Sequence, residues 1–253
     1  MCDKNNNNHG REGRRDFLRL AGTVGALGLF GGAISSTAYA QAPAKERREV
    51  LTRERRDAMT PDEVLEAMKR GNERFRKGKR DNRDVLALQR ATAKSQHPKA
   101  VLLSCMDSRA PAETILDTSI GDIFNSRLAG NVLNEDVLGG MEFGCAAAGS
   151  KVVLVMGHTS CGAVRGAIDG VKLGNLTGLL AKIQPAITAT AFSGERSSKN
   201  DAFVDAVAKK HVELTVADIR KRSSVLANLE SKGKIKIVGS MYSLETGVVD
   251  FFA

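Results

Sequence analysis

The sequence contains no tryptophan and only two tyrosines, and aromatic residues make up 4% of its 253 positions. Single-stranded nucleic acids are commonly held on stacked aromatic side chains, so this scarcity argues against such a partner. Acidic residues are in the minority, 29 against 38 basic ones, for a formal net charge of +9. That excess is not gathered into a phosphate-binding stripe. Residues 1–40 carry five Lys/Arg against three Asp/Glu, residues 45–84 fourteen against ten, and residues 85–253 nineteen against sixteen. Charges of both signs, interspersed, describe solvated helix faces, and no nucleic-acid partner is expected. Internal repeats are absent, and the low-complexity run "NNNN" falls at positions 5–8. What is present suffices for one core, since 42% of a chain of ordinary single-domain length is hydrophobic.

Residues 1–40 read as an address. Arg14 and Arg15 precede Phe17 and Leu18 in "GRRDFLRLAG", a glycine-rich apolar run follows, and "AYA" at 38–40 places small residues at both positions of a cleavage site. The arrangement resembles a twin-arginine export signal, which implies the twin-arginine translocase as a transient partner and a periplasmic mature protein beginning at residue 41. The competing reading is an uncleaved inner-membrane anchor, because no charge interrupts residues 20–44. Its glycines make that run weakly hydrophobic. Cys2, ahead of the apolar region, leaves with the leader.

Residues 41–84 are expected to form an N-terminal helical arm in two pieces that meet at Thr60. Thr60 as N-cap, Pro61 at the first helical position and Glu63 as the reciprocal partner mark the start of the second piece. Leu65, Met68 and Phe75 give it one narrow apolar face. Such a face needs a surface to lie on, either the main domain or a second subunit, and the expectation is that the arm wraps a partner in a homodimer or higher homo-oligomer.

From residue 85 to 253 short apolar runs alternate with helical stretches. "KAVLLSC", "DIFNSRLAG", "KVVLVMGH" and "KIKIVGSMY" read as strands buried on both faces; "EDVLGGMEFGCAAAG", "AVRGAIDG", "NLTGLLAKIQPAI" and "HVELTVADIRKRSSVLANLESKG" read as helices. The fold class is α/β, with a mostly parallel central sheet flanked by helices. Reactive groups in such sheets gather beyond the carboxyl ends of the strands. Cys105 ends one strand, His158 ends another and Cys161 follows in the next turn, so three metal-binding side chains can meet at one edge. Taken singly, each has an ordinary structural explanation, a buried apolar cysteine or a turn histidine. Together they make a set suited to Zn2+, with a fourth position left for water or substrate. Cys145 reads as a small core residue, and His97 and His211 as exposed or cap-forming histidines rather than proton relays.

Asp107 and Arg109 lie two and four residues after Cys105 in "CMDSRA". This C-x-D-x-R segment, with a distant H-x-x-C, resembles the β-class carbonic anhydrases. The resemblance runs from about Thr60 to the end and includes "GNERF", "RLAGN" at 127–131, "GHTSCGAV" and "SMYSLETGVV". It implies a zinc-dependent enzyme that hydrates carbon dioxide reversibly to bicarbonate, with Cys105, His158 and Cys161 as zinc ligands. Asp107 becomes the proton acceptor, oriented by Arg109, and in a closed, inactive state the fourth zinc ligand. By the same resemblance Gln96 donates a hydrogen bond to substrate or bicarbonate, and Phe124, Ala129 and Phe143 form pocket walls, some of them across a dimer interface. Bicarbonate-inhibited members build a second anion pocket from a tryptophan, an arginine and a tyrosine, of which only the arginine remains here, as Arg127; the others are Leu102 and Phe143. A same-fold hydrolase of carbon disulfide or carbonyl sulfide, and an exported zinc-binding protein without activity, are the alternatives.

Overall fold

Runs of β-branched and leucine residues form the centre of the computed structural model, which describes residues 50–252. Strands β1 (Ala100–Ser104), β2 (Ile123–Arg127), β3 (Val152–His158) and β4 (Lys236–Tyr242) pair in parallel, and β5 (Val249–Phe252) runs antiparallel to β4. Their order across the sheet is β2-β1-β3-β4-β5. The helices are α1 (Arg53–Ala58), α2 (Pro61–Arg76), α3 (Val85–Thr92), α4 (Ala112–Ile115), α5 (Glu135–Glu142), α6 (Gly162–Ile168), α7 (Gly174–Ala181), α8 (Gln184–Ala189), α9 (Asp201–Arg222) and α10 (Ser224–Ser231). The architecture is the mostly parallel α/β sheet expected from the sequence. Among the described residues, no helix is long and apolar enough to cross a membrane. The leader, Cys2 and the start of the arm lie outside the described residues.

Side-chain alternation along the strands builds two cores. Ala100, Leu102, Val152, Leu154 and Met156 face α2 and α4, while Val101, Leu103, Val153 and Val155 face α5, α9 and α10. β1 and β3 are buried along their whole length, as central parallel strands must be. β2 is not: it forms an edge and is only half-buried, which corrects the expectation for "DIFNSRLAG". Several helices also end where side chains interrupt them. Ser223 accepts a hydrogen bond from the Leu226 amide, starting α10 afresh, and Asn200 caps α9, which begins at Asp201, ten residues before the expected start. Pro185 in the first turn of α8 separates it from α7.

The junction at Thr60 is a capping box: the Thr60 hydroxyl accepts from the Glu63 amide at 3.2 Å, and the Glu63 carboxylate accepts from the Thr60 amide at 2.8 Å. The apolar face of α2, however, is carried by Val64 and Met68, which are wholly buried against the chain's own sheet, with Leu65 and Phe75 half-buried beside them. The expectation that this stripe wraps a second subunit is therefore corrected. Gly71 explains the closeness of the contact, since a Cβ there would stand 2.0 Å from the Leu116 carbonyl oxygen. Next to it, buried Asn72 donates to the carbonyls of Ile115 (3.2 Å) and Gly247 (2.9 Å) and accepts from the Val249 amide (3.0 Å). Arg74 and Arg83, each 2.6 Å from the buried Asp117 carboxylate, pin the end of the arm.

Candidate metal centre

β2 lies on one side of β1 and β3 on the other, so the chain leaving β1 and the chain leaving β3 diverge. A crevice opens at the carboxyl ends of two such strands. Their register sets Ser104 beside Met156, which brings Cys105 and His158 out at nearly the same level, while Cys161 is the N-cap residue of α6. The sulfurs of Cys105 and Cys161 and an imidazole nitrogen of His158 lie within 4.8 Å of one another, and all three residues are buried. His158 Nδ1 is 2.8 Å from the Thr159 carbonyl oxygen. A carbonyl only accepts, so Nδ1 carries the proton and Nε2 keeps its lone pair. That Nε2 is buried without a hydrogen-bond partner, a costly arrangement that a metal ion relieves.

The two sulfurs are close enough for the ionisation of one to oppose that of the other. The neighbouring Cys161, with the backbone at Asp107 and Gly130, draws the Cys105 thiol well below the usual thiol range against the opposing influence of burial. Cys161 is driven upward by the same contact and by burial. The Gly130 amide donates to Cys105 Sγ at 3.3 Å. Thiolate is the metal-binding form, so Cys105 is already poised, and a bound metal ion would displace the proton from Cys161.

Asp107 borders this cluster with Oδ2 3.8 Å from His158 Nε2. Its carboxylate takes the Arg109 backbone amide (2.9 Å) and Nε (3.0 Å) on Oδ1 and Nη2 (2.8 Å) on Oδ2. The guanidinium holds the carboxyl down to about 2, outweighing partial desolvation. Arg127 fixes the backbone beneath, donating from Nε to the Cys105 carbonyl at 3.0 Å and from Nη2 to the Asp107 carbonyl at 2.6 Å.

Among the remaining expected residues, Ala129 stands in the short 3-10 turn Ala129–Asn131 that follows Arg127 and carries Gly130. Gln96 is exposed in the segment before β1, at the opposite end of that strand from Cys105. Phe124 pairs with Val101, four residues and about 13 Å short of Cys105 at ~3.3 Å per residue. Phe143 packs edge-on against Phe124 with ring centroids 6.0 Å apart and is 60% exposed. Gln96, Phe124 and Phe143 therefore do not join the cluster of their own chain. His211 is corrected too: it is buried in the middle of α9, and burial pushes it down to about 4, which leaves it neutral at physiological pH. Cys145 is core, as expected, its thiol pushed up to about 12 by burial.

Sequence reasoning missed Asp205. Its carboxylate accepts the Ser160 amide at 2.7 Å, bracing the residue between His158 and Cys161. Ser160 has a φ of +52°, a left-handed conformation uncommon for a side-chain-bearing residue, so the loop needs such a brace. An acidic residue early in a helix carries no local signal of that contact.

Residues 100–249 match a family model described as carbonic anhydrase. The chain is 35% identical over 189 residues to carbonic anhydrase 2 of Mycobacterium tuberculosis, covering 74% of this chain and 90% of that protein. It is 33% identical over 192 residues to a carbonic anhydrase of Mycolicibacterium smegmatis, covering 75% and 92%. Among solved structures, a β-carbonic anhydrase of the fungal pathogen Aspergillus fumigatus superposes with a TM-score of 0.56 at 26% identity, over 66% of this chain and 81% of that one.

Proposed function

The chain belongs to the β-class carbonic anhydrases, enzymes of reversible carbon dioxide hydration, and from that membership we propose how its residues divide the work. The observation that carries the proposal is the convergence of Cys105, His158 and Cys161 on one point, with His158 Nε2 unpartnered. Two thiolates and one imidazole suit Zn2+, which takes sulfur and nitrogen donors and in catalytic sites keeps a fourth position open. Bound there, zinc supplies the Lewis acidity that makes water a nucleophile near neutral pH.

Asp107 is then the proton acceptor for the attacking water. It borders the ligand set, and Arg109 keeps it ionised and turned. Arg127 anchors the turn between Cys105 and Asp107. The same nearness supports Asp107 as a fourth ligand in a closed state, reached by surrendering Arg109. Ala129 walls the pocket of its own chain. Gln96, Phe124 and Phe143 are assigned to the pocket of a second subunit in a homodimer or higher homo-oligomer; the half-buried β2 edge and the exposed Phe143 beside it support this. Stopped-flow hydration of carbon dioxide by the purified, zinc-quantified chain tests the reading, and a fully zinc-loaded chain with no activity would refute it.

Bicarbonate is expected to act only as an ordinary product. Leu102 is wholly buried on the α2 side of the sheet, Phe143 lies on the other side, and Arg127 already donates to two carbonyls. A second anion would miss two donors, each worth roughly 1.5 to 3 kcal/mol to a charged group. Hydration rates measured against added bicarbonate should fall hyperbolically, without the steep, pH-sharpened inhibition that a second anion site produces.

The N-terminal pattern of Arg14, Arg15 and "AYA" supports export through the twin-arginine translocase to the periplasm. That route carries folded proteins, which suits a thiolate site loaded with metal before it meets an oxidising compartment. Blotting of periplasmic and spheroplast fractions should find the protein in the periplasm and Arg14→Lys/Arg15→Lys retained inside; a cytoplasmic wild-type chain would end this proposal.

A further inference from the structure

Asp205 is a carboxylate that the metal ligands and the ion pairs of the fold leave unexplained. It is half-buried in the second turn of α9, and among the described residues it forms no ion pair, the nearby Arg165 pairing with Asp201 instead. The one hydrogen bond it accepts comes from the Ser160 amide, at 2.7 Å. Partial burial raises its carboxyl above the usual carboxylate value, the mark of a charge that gives up hydration. The helix beneath it is firmly placed, since Phe203, Val204, Val207 and Ala208 lie in the same buried cluster as Cys105 and Cys161. A fixed carboxylate therefore grips a single peptide of the loop that carries two of the three metal-binding side chains.

That peptide is where the loop is weakest. His158 ends β3 within the sheet, and Cys161 leads into α6. Thr159 is tied twice, its amide donating to the Tyr242 carbonyl at 2.9 Å and its hydroxyl accepting from the Leu244 amide at 3.0 Å. Ser160 has no such support from regular structure. Among the described residues, Asp117, Asn131 and Ser160 are those other than glycine with positive φ. Aspartate and asparagine tolerate the left-handed region better than most side chains, whereas serine, here at a φ of +52°, is held there against its preference. The Ser160 carbonyl stands 3.5 Å from Arg109 Nη2, too far to hold the peptide firmly. The strong restraint is Asp205, at the short distance of a charge-assisted hydrogen bond.

We propose that Asp205 is a positioning residue, which keeps Ser160 left-handed so that His158 and Cys161 stay converged with Cys105, and which thereby sets how tightly zinc is retained. The inference rests on zinc occupying those three side chains. When only a fraction of molecules holds the binding-competent conformation, apparent affinity falls by that fraction. A left-handed backbone is disfavoured for a residue bearing Cβ by roughly tenfold in population, so a loop without Asp205 spends most of its time with the two ligands misdirected. The carboxylate acts through the Ser160 backbone and touches neither the metal ligands nor Asp107.

Competition between the zinc-loaded full chain and a chelator of known affinity tests this, with far-ultraviolet circular dichroism as the check on folding. Asp205→Ala should raise the zinc Kd about tenfold. Asp205→Asn, whose amide oxygen can still accept from the Ser160 amide, should fall between the parent and Asp205→Ala. Glycine takes up left-handed conformations without penalty, so Ser160→Gly/Asp205→Ala should bind zinc within about threefold of Ser160→Gly alone. A merely structural loss on α9 would show no such rescue. If Asp205→Ala does not fold by itself, the two Ser160→Gly proteins carry the test, and both must fold. An unchanged Kd in Asp205→Ala, a tenfold gap between the two Ser160→Gly proteins, or Asp205→Asn as weak as Asp205→Ala would each overturn the proposal. A parent chain that retains no zinc would overturn the functional reading and this proposal with it; a zinc-binding parent indifferent to residue 205 overturns this proposal alone.

Discussion

Cys105→Ser, His158→Ala or Cys161→Ser will leave the purified enzyme with far less than one zinc ion per chain, and carbon dioxide hydration will fall with it. Each change removes one of the three converging side chains proposed to hold the ion. Zinc binding to a complete site is worth about 12 kcal/mol at neutral pH, so losing a third of it costs about 4 kcal/mol, roughly a thousandfold in affinity. Serine cannot replace either cysteine, because a hydroxyl is a far weaker acid than a thiol and does not supply an anionic sulfur donor. The variants should still fold, since the two cores on the faces of the sheet do not contain the ligands, and serine nearly keeps the size of Cys105 and Cys161 in the third buried cluster to which they belong. Metal analysis of the three proteins, alongside stopped-flow rates, decides the matter; full zinc occupancy in all three would remove the assignment.

Asp107→Asn should separate metal binding from catalysis. The amide retains the shape of the carboxylate and an oxygen for Arg109, so zinc content is expected to stay near that of the parent enzyme. It cannot take up a proton in the same way, and the hydration rate should fall by about 10²- to 10⁴-fold, the usual share of a positioned base. The pH behaviour provides a second check. Arg109 depresses the folded-state value of Asp107 from 3.8 to about 2. The carboxylate is therefore ionised throughout neutral and mildly acid conditions and protonates only as pH falls toward that value. Any loss of activity between pH 8 and 5 must arise from another ionisation, and an acid limb in that range that disappears in Asp107→Asn would contradict this view of the residue.

Local features of the chain were readable where the cause is itself local. The Thr60 capping box depends on residues three apart, and the buried strands β1 and β3 on continuous apolar runs. Cys105, His158 and Cys161 were found because strand ends in a parallel sheet converge, so position along a strand already states position in space. β5 escaped because four residues after a turn carry too little pattern, and its identity comes from pairing with β4. The destination of α2 was misjudged because an apolar stripe specifies that a surface is needed without specifying whose; Gly71 and Asn72, which do specify it, act across the fold. Gln96 and the Phe124–Phe143 pair lie away from the cluster for a similar reason, since distance along a strand places them far down the sheet. Asp205 and the burial of His211 belong to tertiary contacts of α9 that no short spacing encodes.

Asn72 also sets an order of events during synthesis. Its amide nitrogen meets the Gly247 carbonyl 175 residues away, and its amide oxygen meets the Val249 amide at 177. While the carboxyl-terminal residues are still within the ribosome, those contacts cannot form, and burying Asn72 early would strand polar groups without partners. Contacts of such long sequence separation are slow to close and leave partly formed intermediates exposed. The first long helix among the described residues is thus seated by the last strand described, and the native domain is completed only once the residues through β5 have emerged.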